Sequence, residues 1–139
     1  MLLGHLALPI LLKHYLAVEA APVYAGSLFP DVLDKALYMG GLAENGRSAA
    51  HTLLGLAIST LLMGLLGGRG RARAWALGYL GHLVCDAGGH VPWLSPFKTY
   101  AFVSRRESFW RKLARAFLQV GVLEVGLIFW ATLLTLRRR

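Results

Sequence analysis

Two stretches of 21 residues limit how this chain can fold. Ser48 to Gly68 holds no formally charged residue, and Ala116 to Leu136 holds a single one, Glu124. A helix that crosses the hydrocarbon layer of a bilayer needs about 20 largely apolar residues, so either window is long enough. Two weaker windows accompany them: Met1 to Leu12 runs into Lys13, and Ala74 to Trp93 is interrupted by Asp86 and His90. With 56% hydrophobic residues and a mean hydropathy of +0.53, 139 residues make one membrane-embedded domain rather than an ordinary soluble one. No alternating strand pattern, internal repeat or low-complexity segment stands out. The expected fold is all-α, an integral membrane bundle of about five helices.

The breakers place those helices. The first is expected over Leu2–Val18. The second, over Ala21–Leu37, contains Pro22, Gly26 and Pro30 and is expected to be broken or tilted. The third runs from Ser48 to Leu66 and stops at Gly67-Gly68, and the fourth runs from Ala72 to Ala87 and stops at Gly88-Gly89. The fifth is expected to be long, Ser104 to Leu136. Ser104-Arg-Arg-Glu107 reads as its capping box, and its amphipathic start, Arg105 to Arg115, suits the membrane interface. This divides the single domain into a polar core over about residues 3–97 and an amphipathic-plus-spanning helix over 104–136.

The formal charge of +8 resides in basic clusters that flank apolar runs: Arg69/Arg71/Arg73, Arg105/Arg106/Arg111/Lys112/Arg115 and Arg137–Arg139. That placement points to anionic lipid headgroups as partners, not to nucleic acid, because no basic domain separates from the apolar segments. The expected location is the inner (cytoplasmic) membrane, crossed several times. A cleaved signal peptide is not expected, since no basic region precedes the first apolar run. One cysteine, Cys85, rules out an internal disulfide and a cysteine-rich zinc module.

Only seven carboxylates and five histidines occur, and several sit inside or beside apolar runs. An ionisable group there costs several kcal/mol unless it is paired or metal-bound. His82 and Asp86 stand at i, i+4 in Trp75-Ala-Leu-Gly-Tyr-Leu-Gly-His-Leu-Val-Cys-Asp86 and point the same way from a helix. Asp31 and Asp34 at i, i+3 converge if their turn is helical, and Arg47 and His51 are again i, i+4. Each pair also has a plainer reading: His82/Asp86 as a buried hydrogen-bonded pair, Asp31 as a helix cap beside Pro30, Lys35 and Arg47 as countercharges for the acids. His14, between Lys13 and Tyr15, reads as interfacial. Glu124 needs a partner in mid-span, as a ligand, a proton-transfer group or a neutral hydrogen-bonded acid.

Topology joins these pairs. If five segments cross in alternating directions, His5, Asp31, Asp34, His51, Asp86 and His90 fall at one end, with His82 a turn deeper, while Arg69–Arg73 and Arg137–Arg139 fall at the other. Four crossings would separate His5 from His51.

The ordered series His5, Gly26-Ser-Leu-Phe-Pro-Asp-Val-Leu-Asp-Lys35, Gly46-Arg-Ser-Ala-Ala-His-Thr-Leu-Leu54, Gly78-Tyr-Leu-Gly-His-Leu-Val-Cys-Asp86 and Pro92-Trp-Leu-Ser-Pro-Phe97 resembles the membrane-bound metal-dependent hydrolases of bacteria and archaea, the YdjM-like family. The resemblance covers roughly Leu3 to Phe97. The H-x-x-x-D element is also similar to that of zinc-dependent phospholipase C. The family resemblance implies a metal set of His5, Asp31, Asp34, His51, His82 and Asp86. Many relatives read P-D-x-D-H, whereas here Asp34 follows Asp31 by three and Lys35 comes next, which makes Asp34 the less secure ligand.

Three histidines and three aspartates suit divalent ions, zinc first and manganese or magnesium as alternatives, with two ions expected. The chemistry implied is hydrolysis of a phosphoester in a lipid or lipid-linked substrate by metal-activated water. Asp31, Arg47 and Asp86 are the residues expected to carry catalysis, with Arg47 and Lys35 available to a phosphate. The rivals are a non-enzymatic metal-binding or ion-transporting membrane protein, and a structural one whose acids Arg47 and Lys35 neutralise.

Overall fold

The architecture follows from one glycine. In the computed structural model, which describes residues 4–44, 46–87, 91–100, 111 and 121–137, helix α3 spans Leu53–Cys85 but is broken at Gly68, where φ is 80° and ψ 173°. Only glycine enters that region at little cost. The chain therefore reverses, and the two arms, 53–67 and 69–85, pack antiparallel. Gly64 faces Ala72, the Trp75 indole N–H donates to Ser59 Oγ at 3.1 Å, and His82 meets His51. The two arms correspond to the expected third and fourth helices. The first begins at Leu53 rather than Ser48, because Thr52 caps it by accepting the Gly55 N–H at 2.8 Å.

The other described helices are α1 (Gly4–Leu16), α2 (Ala20–Met39) and α4 (Val122–Leu136). All regular structure among the described residues is helical. α2 departs from expectation: it is one continuous helix of 20 residues. Pro22 falls in the first turn, where its missing N–H has no helical partner to lose, and Pro30 forfeits only one bond. α4 departs too. Gly121 is extended (φ −76°, ψ 158°) and caps a new helix, so a single helix from Ser104 to Leu136 is not formed. The Ser104–Glu107 capping box and all of the amphipathic start except Arg111 lie outside the described residues.

Packing rests on close backbone approach between α2 and the second arm of α3. A Cβ on Gly78 would stand 2.1 Å from the Val23 carbonyl oxygen, and one on Gly26 would stand 2.4 Å from that of Trp75. Small residues at such crossings are how helices associate where lipid removes any hydrophobic drive. Trp75, Tyr79, Leu83 and Val91 form the buried apolar cluster, with Phe29, Leu56, Met63 and Trp93 packed against it.

The distribution of polarity is inverted relative to a water-soluble protein. His5, Ser27, Asp34, His51, Thr52, His82, Asp86 and Glu124 are buried, while Leu61, Leu65, Leu66, Val84, Phe129 and Leu136 are exposed. Taken as one stretch, Leu53–Cys85 is long and apolar enough by length and composition to cross a membrane, with a mean hydropathy of 1.5 over its best window, but the break at Gly68 divides it into two shorter arms. The directions of the helices also emerge. Gly4 N–H donates to Glu124 Oε1 at 3.0 Å and Trp130 Nε1–H donates to the Tyr15 hydroxyl at 2.8 Å, so α1 and α4 run parallel. His5 stacks on His82 with ring centroids 4.0 Å apart, which sets α1 antiparallel to the second arm of α3. One end of the bundle thus gathers His5, His51, His82 and Asp86; Lys13, Arg69, Arg71 and Arg137 lie toward the other.

Candidate metal centre

Local chemistry explains how each polar side chain reaches this end. His5 sits in the first turn of α1. Pro9, four residues on, cannot bond the His5 carbonyl, and Ser27 Oγ–H of α2 takes it instead at 2.7 Å. Glu124 holds the start of the same helix through Gly4, which complements the helix dipole. The sequence marked Glu124 as needing a partner but not which one; its partner here is a backbone N–H.

Asp34 is fully buried and organises the segment before α3. Its Oδ1 accepts from Ser48 Oγ at 2.8 Å and Ala50 N at 3.0 Å. Its Oδ2 accepts from Ser48 N, from His51 N at 3.2 Å and from His51 Nδ1 at 2.7 Å. The Tyr79 hydroxyl donates to the Ala50 carbonyl and ties this segment to α3. Both Asp34 oxygens are thus occupied by hydrogen bonds, and Asp34 stands behind His51 instead of in the cluster. Sequence gave no sign of this role, since the donors come from an irregular segment with no helical or strand period.

With Nδ1–H of His51 given to Asp34, its Nε2 faces inward. It lies 3.2 Å from His82 Nε2, 3.7 Å from Asp31 Oδ1 and 3.8 Å from Asp86 Oδ2. His5 Nε2 is 3.4 Å from Asp86 Oδ1, and His82 Nε2 is 4.0 Å from Asp86 Oδ2. Two ligand sets result, His5–Asp31–His82 and His51–His82–Asp86, each with donor atoms within 4.8 Å of one another. Five of the six residues proposed from sequence converge, and Asp34 supports them from outside. His90 lies outside the described residues.

The set fits a divalent ion on two grounds. Ligands about 2.0–2.1 Å from a tetrahedral zinc stand about 3.3–3.4 Å apart, close to the His51–His82 and His5–Asp86 separations. The second is the chemistry of the donor set: imidazole nitrogens and carboxylate oxygens converge in each group, the ligands that zinc takes.

Cations also line the cluster. Arg47 Nη2 lies 2.6 Å from Asp86 Oδ2, and Lys35 Nζ lies 2.9 Å from Asp31 Oδ2. Burial raises the Asp86 carboxyl, but the His5 hydrogen bond and the Arg47 charge outweigh it and hold the group below the usual carboxylate range. Asp31 and Arg47 are the more open members, with side chains 23% and 34% exposed against 5% or less for His5, His51, His82 and Asp86. His14 packs edge-on against Tyr15, toward the opposite end of α1.

A family model described as YdjM inner membrane protein matches residues 1–137. No curated protein matches the chain, and no solved structure does. The similarity to phospholipase C therefore rests on the H-x-x-x-D spacing alone.

Proposed function

Given that the chain belongs to the YdjM inner membrane protein family, we propose that it is a multi-pass membrane metallohydrolase acting on a phosphoester of a lipid or lipid-linked substrate. The five crossing segments in this reading are α1, α2, the two arms of α3, and α4. What supports it is the alternation of their directions and the apolar residues on their outer surfaces.

The observation that carries the proposal is the convergence of three imidazoles and two carboxylates in one buried set. His82 belongs to both ligand groups, so the two groups adjoin in one continuous cluster with room for one or two ions. In this reading His5, Asp31 and His82 would hold an ion at the more open edge, and His51, His82 and Asp86 at the buried side. When bound, such an ion acidifies a water and polarises a phosphoryl oxygen. Arg47 is placed to bind the substrate phosphate and to stabilise charge on it. Asp31, anchored by Lys35, is the carboxylate placed to accept a proton, and Asp34 keeps His51 in the tautomer that presents Nε2.

Metal analysis of the purified full chain tests the first half. One or two zinc or manganese ions should accompany each chain, and His82→Ala, which removes a ligand from both groups, should strip them. A chain without metal that keeps its fold would favour the structural reading, which the Arg47–Asp86 and Lys35–Asp31 pairs also accommodate. Phosphoesterase assays on phospholipid and lipid-linked phosphates test the second half. Metal without cleavage that depends on Asp86 would leave a non-enzymatic metal-binding or ion-transporting protein.

A further inference from the structure

We propose that the cleft between α1 and α4 binds one acyl chain of an anionic phospholipid, with the lipid phosphate held at Lys13 and His14. The cleft lies outside the metal cluster and has a different chemistry. One part, a shallow groove of about 210 Å³, is lined by Leu6, Ile10, Ile128, Ala131 and Thr135 among others. A second, more enclosed part of about 150 Å³ shares Ile10 and Thr135 with the first and adds Lys13, His14 and Tyr24.

The lining suits methylene groups. The Thr132 hydroxyl donates to the Ile128 carbonyl and the Thr135 hydroxyl to that of Ala131, so these threonines spend their protons on their own helix. Because α1 and α4 run parallel, the two parts follow one another along the bundle, as an acyl chain would.

The Lys13 end suits a phosphate. Lys13 is exposed and makes no ion pair among the described residues. The Trp130–Tyr15 hydrogen bond joins the same two helices beside it, and such aromatic residues sit at the headgroup level of membranes. A lysine there attracts anionic lipid with an energy that corresponds to about a fivefold change in affinity. From Lys13 to Leu6 the helix rises about 10 Å, so the headgroup lies well away from His5. This lipid is not the substrate of the metal cluster, and its binding does not depend on the hydrolase reading.

The test uses delipidated full chain in detergent, titrated with spin-labelled phosphatidylglycerol and phosphatidylcholine. Wild type should immobilise phosphatidylglycerol more strongly. Lys13→Gln should weaken phosphatidylglycerol about fivefold and leave phosphatidylcholine unchanged, while Arg71→Gln, away from the cleft and already neutralised by Glu19 at 3.5 Å, should change neither. Thr132→Phe should reduce immobilisation of both lipids. Equal effects of Lys13→Gln and Arg71→Gln would overturn the site in favour of diffuse surface charge. Unchanged lipid binding with an altered oligomeric state in Thr132→Phe would assign the cleft to a second copy of the chain. Lys13 is a surface residue, so its variant decides the matter even if Thr132→Phe fails to fold.

Discussion

Asp34 Oδ2 lies 2.7 Å from Nδ1 of His51, and that contact determines which ring nitrogen faces the other histidines. Carboxylate partners behind a metal-binding histidine fix its tautomer, and losing one typically lowers metal affinity 10–100-fold. Asp34→Asn keeps the shape of the side chain but trades an acceptor for a donor that opposes the surrounding N–H groups. It should therefore lower zinc affinity by about that factor, read by competition with a chromogenic chelator. Asp34→Ala should in addition cost about 3–5 kcal/mol of stability, because it strands buried donors. Unchanged zinc affinity in a folded Asp34→Asn protein would show that the Asp34 contact does not support the centre.

Gly78 offers a test of the packing that brings α2 to the cluster. A Cβ there would meet the Val23 carbonyl at 2.1 Å and the Ser27 amide nitrogen at 3.0 Å. Both are backbone atoms and cannot rotate away, so the helices must separate. Gly78→Ala should destabilise the protein by about 2 kcal/mol or more and lower metal content with it, since Asp31 and Ser27 ride on α2. Gly126→Ala is the control: nothing lies within 4 Å of its added methyl, and alanine favours the helix. Thermal melts in detergent should separate the two variants clearly.

The gathering of His5, Asp31, His51, His82 and Asp86 was legible in sequence because it follows from topology. Once the apolar windows alternate, residues at alternate helix ends must share a side of the bundle. The turn at Gly68 was legible for the same local reason, a glycine pair after an apolar run. Asp34's role was not, because i, i+3 spacing from Asp31 shows only a shared helix face and says nothing of which irregular segment folds over it. The continuity of α2 was also hidden. Pro22 and Pro30 read as breakers, yet a proline costs little in a first turn, and one lost bond is tolerable in a well-packed helix.

Glu124 and Gly4 lie 120 residues apart and are joined by one hydrogen bond of 3.0 Å. It satisfies one of the N–H groups that a helix start leaves open. Glu124→Gln retains an acceptor and should keep metal binding near the wild-type level. Glu124→Leu removes it and should loosen the first turn of α1, costing about 1 kcal/mol and weakening the hold on His5. Faster hydrogen exchange at Leu6 and Ala7 in Glu124→Leu, with little change in Glu124→Gln, is the expected pattern. Loss of metal in both variants would instead make the carboxylate itself part of the centre.

Arg47 and Lys35 make ion pairs of similar length but differ in surroundings. Arg47 contacts Asp86, whose side chain is 3% exposed, whereas the Lys35 side chain is itself 50% exposed. An exposed pair contributes about 0–1 kcal/mol, so Lys35→Ala should change stability little. Arg47→Ala leaves a buried carboxylate without its guanidinium and removes the group available to a phosphate. If the chain is a phosphoesterase, Arg47→Ala should lower kcat about 10²–10³-fold, the range seen when a charge-stabilising donor is removed, with metal still bound. Arg47→Lys restores the charge without the fork and should recover part of kcat. Loss of metal together with activity would instead place Arg47 with the structural countercharges, and an Arg47→Ala protein as active as wild type would end its catalytic assignment.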